Sequence, residues 1–141
     1  MRLEKPFDGE EIRQLRLEIT ETCEAQGLPD VLTWDLIATA DEVICNVLEH
    51  SHADWLEFEM ALDFARSSAQ LVMRDNGVHF DLNAAVIRAE TAAGNGTHRK
   101  MGLLLVKKAV DSMDITRRPD GVNELTLNLS AMGSNQRQAT G

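Results

Sequence analysis

Two small groups of polar side chains stand out as able to do chemistry. Glu42, Asn46 and His50 recur at every fourth position. In a helix, residues four apart lie about 40° apart around the axis, so a carboxylate, an amide and an imidazole share one face. The second group, Asp75-Asn76-Gly77, follows the apolar run Leu71-Val72-Met73 and puts a carboxylate at the turn that closes a strand. Each group also has a plainer reading, as a solvated helix face and an ordinary turn. Asn46 strains that reading, because asparagine is a poor residue for a helix interior and one beside an apolar arc needs a partner such as a metal or a buried group.

The elements that must carry these groups follow from periodicity. Residues 1–7 read as a short strand. Ile12, Leu15, Ile19 and Cys23 recur at helical spacing, which predicts a helix over 10–26, stopped by Gly27 and Pro29. A second helix is expected over 31–50, with Leu36, Ile37, Ala40, Ile44 and Val47 packing inward and Asp35, Thr39, Glu42, Asn46 and Glu49 forming the opposite polar stripe. Strands are expected over 55–62 and 69–74, joined by the polar segment 63–68. Residues 76–100 show weak periodicity and contain Gly94 and Gly96, the pattern of a functional lid or a disordered segment. A third helix is expected over 101–113, with Leu104, Leu105, Val106 and Val110 as its apolar positions. Segments 115–118 and 123–130 then read as a hairpin around Pro119-Asp120-Gly121.

Strands joined by short turns require an antiparallel or mixed sheet, and helices gathered on one face give a two-layer α+β sandwich. One domain over 1–130 accounts for the chain, with the polar residues 131–141 expected as a disordered tail.

Composition removes several classes. The formal charge of −9, from 23 acidic against 14 basic residues, repels a phosphate backbone and argues against a nucleic-acid binder. Basic residues gather at His98, Arg99, Lys100, Lys107 and Lys108, a local surplus suited to a polyphosphate. Met1 is followed by Arg2, Glu4, Lys5 and Asp8 rather than an apolar run, and no stretch approaches the ~20 residues of a membrane span, so a cytoplasmic protein is expected. Cys23 and Cys45 both fall in apolar-periodic stretches and are expected as buried, reduced thiols. Trp34 and Trp55 read as core or interface anchors, and His52 and His98 as surface residues. There is no Walker A sequence, no Cys/His metal spacing and no nucleophile-elbow serine.

Taken together, the helix motif and the Asp-Asn-Gly turn resemble the N-box and first glycine box of the Bergerat-fold (GHKL) ATPase/kinase superfamily. In a chain this short they look most like its serine-protein kinase/anti-sigma factor group. The resemblance implies that Asn46 is the magnesium ligand, Glu42 the base towards an attacking hydroxyl, and His50 a neighbour of the phosphates. Asp75 would accept from the adenine amino group, and Gly77 would let the backbone approach the base. His79 stands where the box has its second glycine. Arg99-Lys100-Met101-Gly102-Leu103-Leu104-Leu105-Val106 resembles the second glycine box, with Gly102 matching its later glycine and Lys100 replacing the earlier one. Lys100 either contributes a phosphate contact or fills the space the nucleotide needs. What the resemblance implies overall is ATP and Mg2+ as cofactors, serine/threonine kinase activity on a STAS-type antagonist, a sigma factor as alternative ligand, and a homodimer. The alternative is a module that no longer uses ATP and acts only by binding proteins.

Overall fold

Asp8 starts the first helix: its backbone is extended and its Oδ1 accepts from the Glu11 amide at 2.8 Å, satisfying one of the donors that a helix start leaves free. The helix, α1, spans Gly9–Ala25 and buries Leu15, Ile19 and Cys23. It ends where Gly27 takes a left-handed conformation, φ 69°, which costs glycine little. Helix α2 spans Asp30–His50. Arg16 ties α1 to it through a 2.6 Å contact with Asp41. The computed structural model describes residues 2–50, 52–78 and 106–131.

Among the described residues, five strands follow the expected order: β1 (Arg2–Glu4), β2 (Trp55–Asp63), β3 (Ser68–Asp75), β4 (Ser112–Arg117) and β5 (Asn123–Ser130). They form one sheet, ordered β1-β2-β3-β5-β4, in which every neighbouring pair is antiparallel. The strand period of two sorts its faces. Leu56, Phe58, Leu71, Met73, Leu127 and Leu129 are buried with Leu32, Leu36, Val43 and Ile44 of α2 in one core. The opposite face is polar, and there Arg74 bridges three strands by bonding Glu59 at 3.0 Å and Glu124 at 2.7 Å. Those two carboxylates, Glu124 first, hold the Arg74 guanidinium above its already high ordinary range. The result is the expected two-layer α+β sandwich, with an antiparallel rather than a mixed sheet.

Several local expectations change. Thr39 and Asn46 do not belong to a solvated stripe; both are buried, because α2 lies between α1 and the sheet and more of its circumference is covered than a one-sided helix would show. Cys45 is exposed, whereas Cys23 is buried and its thiol is pushed up by desolvation, partly offset by a hydrogen bond with Thr33. Trp34 is 66% exposed and so anchors no core, while Trp55 is half-buried with the Arg2 guanidinium 4.5 Å from its ring centre. The third helix stops earlier than expected. Residues 106–109 are helical, the Val110 amide still bonds back to Val106, and the Asp111 amide already bonds to Asn128, so Met113 lies in β4. The hairpin turn is as read, with Gly121 at φ 85°.

Candidate functional site

The site begins one turn apart on α2. Asn46 is 5% exposed, and its Nδ2 donates to the main-chain carbonyl of Glu42 at 2.7 Å and to Glu42 Oε1 at 3.0 Å. The amide nitrogen of this buried asparagine is therefore satisfied by the residue four positions back, which gives the helix-interior position its local partner. Its amide oxygen takes no hydrogen bond from the described residues.

Across the core, β3 ends at Asp75, 6% exposed. Asp75 Oδ1 accepts from the Gly77 amide at 2.9 Å and from Asn123 Nδ2 at 3.1 Å. Asn123 is the first residue of β5 and the register partner of Asp75, which is why the two meet although 48 positions separate them. Its Nδ2 also reaches the Gly77 carbonyl at 2.9 Å, and its Oδ1 accepts from Arg117 at 3.2 Å. Asn76 Oδ1 accepts from the amides of Asp54 and Trp55, fastening the turn to the start of β2. The turn is thus held from three sides, with one oxygen of Asp75 doubly bonded and Oδ2 free of partners among the described residues.

One pocket joins the two halves. Asn46, Asp75, Asn123 and Glu124 are its polar lining residues, while Val43 and Val47 of α2, Met73, Leu125 and Ile115 form apolar walls. Its water-sized interior is about 30 Å³. A carboxylate acceptor on an apolar floor, facing an amide oxygen on a helix, is a donor set that fits a flat heterocycle at one end and a hard cation at the other. Of the residues picked from sequence, Asn46 and Asp75 line this pocket, and Glu42 and Gly77 stand behind them as their hydrogen-bond partners. His50 is the last residue of α2. His79, Lys100 and Gly102 lie outside the described residues. Asn123 was missed, since nothing in the local sequence marks it; only the pairing of β3 with β5 brings it to Asp75.

Residues 6–129 match the model of the histidine kinase-like ATPase domain. The chain belongs to that family, the histidine kinase-like, or GHKL, ATPases. By sequence, no curated protein matches it. By structure it is similar to a chain of the SiaB-SiaC complex from Pseudomonas aeruginosa, with a TM-score of 0.65 and 12% identity over 92% of this chain and 88% of that one. At that identity the likeness is one of fold.

Proposed function

We propose that the protein is an ATP-dependent serine/threonine-protein kinase that acts as an anti-sigma-type, partner-switching regulator. The observation that carries this reading is the shared pocket of Asn46 and Asp75 in a chain of the GHKL family. When bound, ATP with magnesium supplies the phosphoryl group and the charge that screens it. The chain's own residues divide the remaining work. Asp75 Oδ2 accepts from the adenine amino group, with Oδ1 held still by Gly77 and Asn123. Asn46 offers its amide oxygen to magnesium. Glu42 receives the proton of the attacking hydroxyl on the oxygen that Asn46 leaves open. His50, Lys100 and Gly102 are assigned to the phosphates, and Gly77 to the base.

The substrate we propose is a STAS-type antagonist phosphorylated on Ser or Thr, with a sigma factor as the alternative ligand. Support for a protein partner comes from the similar chain, which was solved in a complex of two proteins. We place the protein in the cytoplasm as a homodimer; no helix among the described residues is long and apolar enough to cross a membrane. Transfer of labelled phosphate from ATP to a co-encoded STAS protein, dependent on magnesium and on Glu42, tests the reading directly. Absence of transfer alongside magnesium-dependent ATP binding would leave the family and remove the kinase.

One observation favours a second reading, a module that binds proteins without using ATP. The pocket's interior of about 30 Å³ is the scale of one or two waters, so adenine must widen it. Labelled ATP that fails to bind with or without magnesium would favour this module.

A further inference from the structure

The two ends of the Asn46 amide are not interchangeable. Its nitrogen faces the main-chain carbonyl of Glu42 at 2.7 Å and a Glu42 carboxylate oxygen at 3.0 Å. An ionised carboxylate and a carbonyl are both acceptors only, so the reversed amide would press its oxygen against two other oxygens. The hydrogen-bond partners therefore fix the orientation without reference to any ligand. Both N–H groups are spent on a single residue one turn back. Because the amide is planar, Oδ1 is turned away from Glu42, on a side chain that lines the pocket.

We propose that Glu42 is a positioning residue for Asn46: its Oε1 takes the second Nδ2 proton while the main-chain carbonyl takes the first, and this second hold locks the plane of the amide so that Oδ1 is presented to a nucleotide-bound divalent cation. The proposal rests on the nucleotide reading above and adds to it, since it gives one residue two tasks on its two oxygens. Oε1 holds the amide, while Oε2, which no described residue bonds, stays open for a proton. With only the main-chain carbonyl left as partner, the amide is pinned at one N–H and can swing about that single bond, so Oδ1 is no longer held in one direction. Losing the partner that orients a metal ligand typically costs about 10–100-fold in metal affinity.

Two substitutions separate the tasks. Glu42→Gln keeps an oxygen that can accept from Asn46 but loses the charge and the basicity. Glu42→Ala keeps only the main-chain carbonyl. The probe is Mn2+ in the presence of ATP, counted by electron paramagnetic resonance, with calorimetry of ATP binding in the absence of metal. Glu42→Ala should weaken Mn2+ binding by about 10-fold or more and leave metal-free ATP affinity unchanged, while Glu42→Gln binds Mn2+ close to wild type. In the ligand-free protein, the side-chain amide protons of Asn46 should shift and exchange faster with water in Glu42→Ala alone. Mn2+ binding by Glu42→Ala at the wild-type level, or equal losses in both variants, would overturn the positioning role and leave nucleotide binding standing. A wild type that binds ATP neither with nor without metal would overturn the nucleotide reading, and this proposal with it.

Discussion

On α2, Glu42 and Asn46 are one turn apart, and helix geometry alone brings them together. At the strand ends, Asp75 and Asn123 are 48 positions apart and meet only because β3 and β5 pair in the register that sets them opposite each other. The first pair is a product of secondary structure, the second of tertiary structure. The helix half should therefore keep its geometry wherever α2 is intact, whereas the Asp75 half depends on the pairing of β3 with β5. In the proposed function the two halves take different ligands, a cation at the helix and a heterocycle at the strands.

The sharpest way to break that division is Asn46→Ala. It should weaken magnesium-supported ATP binding by about 100-fold or more, the upper end of what metal sites lose when a ligand is disturbed. ATP affinity without metal should change little. Calorimetry with and without magnesium checks this, and equal losses in both conditions would mean that the helix half is not the metal half. Next in size is Asp75→Asn, which presents a donor where the adenine amino group needs an acceptor. That change should cost about 1–3 kcal/mol of ATP binding, equally with and without metal. Unchanged affinity would sink the assignment of Asp75 to the base.

Asn123→Ala probes the long-range pair itself. It leaves Asp75 Oδ1 with one donor instead of two and the Gly77 carbonyl without its side-chain partner. Urea unfolding should show a loss of about 1–2 kcal/mol, and ATP affinity should fall because Asp75 is no longer held. Arg117→Ala is the smallest change expected, about 0.5 kcal/mol, since the bond from this exposed side chain to Asn123 exchanges readily with water. A double-mutant cycle should find stronger coupling between Asp75 and Asn123 than between Asp75 and Arg117. The reverse order would mean that the register partner is packing and not part of the site.

What could be read from sequence follows the same line. Glu42 and Asn46 were legible because helical spacing is written into the numbering, and Asp75 because a turn closing an apolar strand is local. Asn123 was not, since strand register across 48 positions leaves no local mark. The burial of Thr39, on the polar stripe opposite the apolar arc, is not legible because a helix covered by both a sheet and another helix has no single apolar arc; Leu32 and Val43, which complete its buried circumference, lie outside that arc. The end of the third helix was misread for a different reason. Val106, Val110 and Met113 fit helical spacing, while Met113 and Ile115 fit strand alternation, and only the bond from Asp111 to Asn128 resolves the overlap.

The two tryptophans give the molecule an optical consequence. With no tyrosine in the chain, its near-ultraviolet absorption and emission come chiefly from Trp34 and Trp55. Trp34 emits as a solvated indole and is open to a dissolved quencher. Trp55 carries a guanidinium over its ring at the seam where β1 joins β2, so its emission is tied to that seam. Iodide should darken the first and spare much of the second. As β1 peels from the edge, Trp55 comes to resemble Trp34, and the accessible fraction of the light becomes a gauge of how firmly the outermost strand is seated.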